Sequence, residues 1–171
     1  RGTIDAFRAT GSGGEVLHCA RSGEVATKLL PRLGDGDTVL VAAGEYMITD
    51  SITFHGKAIT VRGEGGADET TIRMLAGVDG PFGRPVVIFQ SGETEESVLE
   101  GFTLTGGTGV TNPLVPGAGR SPPAGGGVYC VSSPTIRDCV ISGNWAPGGA
   151  GVFCHPSSSA RLINCTISGN S

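Results

Sequence analysis

A repeated motif in the C-terminal half of the chain restricts its fold more than any other feature. The segment GGGVYCVSSPTIRDCVISGN (125–144) recurs as GAGVFCHPSSSARLINCTISGN (149–170). The second copy is longer only within a Ser/Pro-rich stretch, where a turn can lengthen without disturbing the strands on either side. Repeats of this length indicate a solenoid, in which each unit buries its apolar side chains only by stacking on its neighbours.

Earlier segments carry the same short β-type runs, separated by glycine-containing turns. They cover residues 37–54, 57–74 and 85–107. With the two clear repeats they predict an all-β fold, a parallel β-helix of about five coils. The composition agrees, since 30 glycines and only 5% aromatic residues favour many tight turns over a large aromatic core.

The chain is expected to form one domain with three segments. Residues 1–22 are predicted to be an N-terminal strand and extension. Residues 23–34 are predicted to form a short capping helix, because a serine suited to the N-cap precedes apolar residues at helical spacing. Residues 35–171 are predicted to form the β-helix, with a Gly/Pro-rich loop insertion at 106–126. The helix would cover one open end of the core.

Alternation of inward and outward side chains places like residues on top of one another in the last two coils. The predicted structural ladders are Cys130 with Cys154, Cys139 with Cys165, and Asn144 with Asn170. Cysteine acts there as a small core hydrophobe, and asparagine amides bond from coil to coil. Neighbouring strands bring each cysteine pair within the range of a disulfide, but with parallel Cβ vectors. Thiol ladders are therefore favoured, and disulfides remain the alternative.

No ladder of carboxylates follows the outward positions of the repeat. Glu100, Arg137 and Ile163 form one outward row, which lacks the paired acids that polysaccharide lyases and hydrolases need for Ca²⁺ or acid/base chemistry. The acidic run GETEES (92–97) is interpreted as a solvated turn. The sequence therefore predicts no catalytic residue, no metal ligand and no cofactor, and it offers no support for Ca²⁺.

A second outward row is apolar and is formed by Ile88, Tyr129 and Phe153. An exposed apolar stripe of this kind can stack sugar rings or bind a protein partner. The alternative, which we favour, is that the 106–126 loop folds over it. These three residues are the candidate binding residues of the chain.

Charge and hydropathy narrow the range of partners. A net charge of −4 and a pI near 5.3 disfavour nucleic acid and anionic membrane surfaces. No apolar run is long enough to span a bilayer. The last strand is followed by no polar cap, so we expect further coils, or a second subunit that stacks head to tail through residues 3–9.

The segments GDGDTVLVAAGEY, GFTLTGG, GGGVYC and CVISGN resemble those of secreted bacterial right-handed β-helix proteins of the pectate-lyase-like superfamily, over about residues 35–171. GGGV, GAGV and ISGN are similar to the Gly-Gly-Ala-(Ile/Leu/Val) and Phe-x-x-Asn repeats of polymorphic outer-membrane proteins, with Ile141 and Ile167 replacing Phe. The resemblance implies right-handed coils and an extracellular or cell-surface rod. It does not supply a reaction.

Two functions follow as expectations. The first is a non-catalytic extracellular or cell-surface scaffold for structure, adhesion or assembly, which stacks end to end. The second is a carbohydrate-active enzyme of the pectate-lyase-like type, or the N-terminal coils of one, that binds or cleaves polysaccharide. A polysaccharide, a cell-surface protein or a second copy of the chain is the expected partner.

Overall fold

The structure, a computed structural model, describes residues 7–8, 16–19, 33–75, 83–109 and 124–171. The first two ranges are strands, which are described by their backbone alone. The strands in chain order are β1 (Phe7–Arg8), β2 (Val16–Cys19), β3 (Thr38–Val41), β4 (Gly44–Ile48), β5 (Ile52–Thr53), β6 (Thr60–Gly63), β7 (Thr70–Met74), β8 (Val87–Phe89), β9 (Val98–Glu100), β10 (Thr103–Thr105), β11 (Val128–Cys130), β12 (Thr135–Arg137), β13 (Val140–Ser142), β14 (Val152–Cys154), β15 (Arg161–Ile163) and β16 (Thr166–Ser168). One helical turn, α1 (Gly66–Glu69), lies between β6 and β7.

These strands form three stacked sheets. The first has the order β1-β2-β3-β6-β9-β12-β15, the second β16-β13-β10-β7-β4, and the third β14-β11-β8-β5. Each described pairing is parallel except β1 with β2, which is antiparallel. From β7 onward the chain visits the sheets in turn, which is the arrangement of a parallel β-solenoid. The structure therefore agrees with the all-β parallel fold expected from the repeat.

The register follows the sequence repeat. Leu99 pairs with Ile136, which in turn pairs with Leu162. Leu99 and Ile136 are fully buried, so the inward row forms a continuous stack of branched aliphatic side chains. Phe54 and Phe89 add an aromatic contact to the core, with ring centroids 4.7 Å apart. Coil-to-coil stacking is thus what buries the apolar side chains.

One bend of the coil requires a left-handed backbone. Gly101, Asp138 and Asn164 follow the equivalent strands β9, β12 and β15, and their φ angles are 73°, 53° and 50°. Glycine, aspartate and asparagine are the residues that tolerate this conformation best. The Asn164 amide also donates to Asp138 Oδ1 at 2.6 Å, which ties neighbouring bends together.

The structure tests the predicted segments only in part. Most of the capping helix predicted at 23–34 lies outside the described residues, and its last two residues, Leu33 and Gly34, are not helical. Residues 110–123 of the 106–126 insertion also lie outside. The helical turn α1 was not anticipated from the sequence. Among the residues described, no helix is long and apolar enough to cross a membrane.

Candidate functional site

The last coil presents its core to solvent. Leu162 of β15 and Ile167 of β16 are 37% and 48% exposed, whereas their partners in the preceding coil, Ile136 and Ile141, are fully buried. Cys154 is likewise exposed, although its partner Cys130 is buried. The end surface formed by these residues is termed the terminal face; its inward-directed members are Val152, Cys154, Leu162, Cys165 and Ile167.

The backbone of the terminal face is also open. Strands β14, β15 and β16 are the outermost members of the third, first and second sheet, so each pairs on one side only in the described part of the chain. An unpaired strand edge exposes a row of N–H and C=O groups that can pair with another strand. The terminal face therefore combines an apolar core section with three hydrogen-bonding edges.

Asn144 anchors the coil beneath the terminal face. Its side chain is 1% exposed, and its Nδ2 donates to the carbonyl oxygens of Leu104 at 3.1 Å and Ser142 at 3.2 Å. Its Oδ1 accepts the backbone N–H of Gly107 at 2.9 Å. Each buried polar group of this amide therefore meets a partner, as buried polar groups must.

Asn170 repeats this arrangement one coil later. Its Nδ2 donates to Ile141 O at 2.8 Å and to Ser168 O at 3.1 Å. Its Oδ1 accepts both the backbone N–H and the Nδ2 of Asn144, each at 3.0 Å. The two amides thus form a ladder that connects three successive coils. The structure shows these bonds directly at the positions proposed for the ladder.

Close packing explains why the glycine signature accompanies the asparagine signature. A Cβ on Gly127 would lie 2.5 Å from Cγ2 of Ile141 and 3.0 Å from Nδ2 of Asn144. Gly151 faces the equivalent isoleucine and asparagine of the last coil at similarly short distances. The GGGV and ISGN motifs therefore describe one contact, in which the backbone of one segment leaves room for the side chains of the other.

Four of the five cysteines, Cys130, Cys139, Cys154 and Cys165, form two stacked pairs with free thiols. Cys130 and Cys154 are Cα partners in β11 and β14, so their side chains lie side by side. Interaction with the neighbouring Cys130 thiol lowers the pKa of Cys154 to about 7. Interaction with Cys154, followed by burial, raises the pKa of Cys130. At neutral pH the exposed member of the pair is therefore the one that ionises first.

The second pair shows the same asymmetry, since interaction with Cys139 lowers the pKa of Cys165 to about 6. Cys139 is 1% exposed and Cys165 is half-buried. The backbone N–H that follows Cys165, that of Thr166, donates to Cys139 O at 2.9 Å, so the two residues stack. Their Sγ atoms lie 3.2 Å from Arg137 O and 3.4 Å from Ile163 O, respectively, where each thiol donates to the carbonyl of its own bend.

Tyr129 at the centre of the apolar row is buried, and the loop that we favour as its cover lies mostly outside the described residues. The Tyr129 side chain is only 1% exposed, while Ile88 and Phe153 on either side are half-buried. The rings of Tyr129 and Phe153 stack with centroids 5.3 Å apart and an interplanar angle of 8°. Gly125, in the described part of the insertion, packs against Tyr129. The binding role of the three residues remains a prediction.

The hydroxyl group of Tyr129 is buried without a partner in the described structure. Burial also raises the pKa of this phenol. A buried hydroxyl without a hydrogen bond reduces stability, so Tyr129 is held in place by its ring contacts rather than by its polar end.

The interpretation of GETEES as a solvated turn is wrong at Glu93. This side chain is 3% exposed, and its two carboxylate oxygens accept the backbone N–H groups of Gly56 at 3.0 Å and Ser91 at 2.8 Å. Glu95 behaves as expected for a surface turn, because it is 69% exposed and pairs with Arg161 at 3.2 Å. Glu93 therefore ties two neighbouring turns together and is structural.

The outward row at Glu100 is an ion-pair ladder. Its carboxylate lies 3.6 Å from the Arg62 Nε and 2.7 Å from the Arg137 Nη2. Register places the three side chains side by side on β6, β9 and β12. The carboxylate is shared by two guanidinium groups, and its strand partners in this row are arginines rather than a second acid.

Trp145 is an exposed aromatic residue that the sequence analysis missed. Its side chain is 53% exposed, and its backbone N–H donates to Gly107 O at 2.8 Å, beside the start of the 106–126 insertion. The repeat offered a signal, because the equivalent position after the second ISGN is Ser171. A tryptophan at a position that is otherwise small and polar indicates a surface contact.

A metal centre is not formed by the residues that the structure describes, since no group of three or more His, Cys, Asp or Glu side chains converges in them. Comparison with protein-family models, with curated proteins and with solved structures finds no match for this chain.

Proposed function

We propose that this chain is a non-catalytic β-solenoid scaffold that assembles by stacking further coils on its terminal face. The observation that carries the proposal is the matched register of the coils, in which Leu99 and Ile136 are fully buried between neighbouring coils. Apolar surface removed from water contributes about 25 cal/mol per Å². A coil of matching register on β14, β15 and β16 would bury Leu162 and Ile167 in the same way and pair three strand edges at once.

The proposed scaffold is a right-handed helix of about five coils at the cell surface or outside the cell. Parallel strands in three sheets support the helical class, and the right-handed preference of parallel crossovers supports the handedness. The GGGV and ISGN signatures support a relationship with secreted pectate-lyase-like repeat proteins. In this setting the rod serves structure, adhesion or display.

The contacts of two acidic side chains support the proposal that the chain is non-catalytic. Glu100 is engaged by two arginines and Glu93 by two backbone N–H groups. Both carboxylates therefore make contacts that hold neighbouring coils together. A solenoid whose acids are structural is suited to carry loops and ends rather than a reaction.

Self-association of the 171-residue chain tests the proposal. Static light scattering should show a mass that rises with protein concentration, and Ile167→Lys should weaken the association at least about tenfold, because a charge would be buried in the interface. Gln90→Lys is the matched control, since Gln90 is exposed and directly follows β8, which has a partner strand on each side in its sheet. Removal of residues 1–10 should also weaken a head-to-tail contact.

Two results would contradict assembly through the terminal face. One is a strictly monomeric wild-type chain at the highest concentration that remains soluble. The other is an equal effect of Ile167→Lys and Gln90→Lys. Circular dichroism spectra of both variants would show whether the parallel sheets are retained, so that a loss of folding is distinguished from a loss of contact.

Carbohydrate binding is the second candidate, and the exposure of Trp145 favours it. Aromatic faces stack on sugar rings, and Trp145 is the only tryptophan of the chain. Its fluorescence should therefore change on titration with oligogalacturonides or with neutral oligosaccharides if the rod contacts glycans. Trp145→Tyr should retain part of the binding, measured by calorimetry, and Trp145→Ala should abolish it. Fluorescence and heat that stay constant across both glycan classes would exclude this candidate.

A further inference from the structure

We draw no further inference here: the strongest candidate, the rows of small hydroxyl side chains on the outer face of the second sheet (Thr103, Thr105, Ser142, Thr166 and Ser168), is an unpartnered surface for which nothing in the described part of the structure shows a ligand or a partner.

Discussion

Asn144→Ala is expected to lower the free energy of unfolding by about 3–5 kcal/mol. The substitution removes the partners of the Gly107 N–H and of the Leu104 carbonyl, which lie in the neighbouring coil. A buried polar group left without a partner costs about 1–3 kcal/mol, and the variant leaves more than one such group behind. Equilibrium denaturation in urea, followed by circular dichroism, measures the change.

Asn170→Ala is the matched control, because it removes the same chemical group from the same motif in the last coil. Asn170 is half-buried, and of the two carbonyls it serves, that of Ser168 belongs to an exposed residue and that of Ile141 to a buried one. We expect a smaller loss than for Asn144→Ala, about 1–2 kcal/mol, because only part of its polar contacts is buried. Asn144→Asp should resemble Asn144→Ala, since it keeps the acceptor but replaces the donor with a buried charge. A loss below about 1 kcal/mol in both Asn144 variants would show that the ladder does not hold the coils.

The repeat predicted the core register because every second side chain of a strand points inward, and these inward side chains must be apolar in each coil. Leu99, Ile136 and Leu162 follow from that alternation alone, and the structure stacks them as expected. The sequence predicted that Asn144 stacks on Asn170, but it could not identify the other partners of Asn144. Those partners are backbone groups of an earlier coil, and backbone N–H and C=O groups are the same for nearly every residue type.

Tyr129 shows the limit of the rule that side chains alternate between the inner and outer face of a strand. The rule assigns a side chain to the outer face of a strand, but it says nothing about what lies against that face. The ring of Phe153 stacks on that of Tyr129, and the backbone of Gly125 lies close to it. This outward residue is as buried as the core residues. Prediction of its exposure would have required the path of the insertion, and a Gly/Pro-rich segment without periodicity does not provide one.

The burial of Glu93 within the acidic run GETEES was not predicted, for a related reason. Charge runs are usually solvated, and two of its glutamates look alike in the sequence. Only the fold shows that Glu93 points toward the turn at Gly56 of the preceding coil, 37 residues earlier, whereas Glu95 points outward. Local composition cannot distinguish them, because the partners of Glu93 are N–H groups brought close by coil stacking.

Glu93→Ala is accordingly expected to lower the free energy of unfolding by about 2–4 kcal/mol, since it leaves the N–H groups of Gly56 and Ser91 without their charged acceptor. Glu93→Gln, which keeps one carbonyl oxygen, should fall between this value and the wild type. Glu95→Ala is the control from the same acidic run and should change stability by less than about 1 kcal/mol, because its ion pair with Arg161 is exposed. Urea denaturation of the three variants makes the comparison. Equal losses for Glu93→Ala and Glu95→Ala would mean that the connection between the turns contributes nothing to stability, and that burial of a carboxylate at this position has another cause.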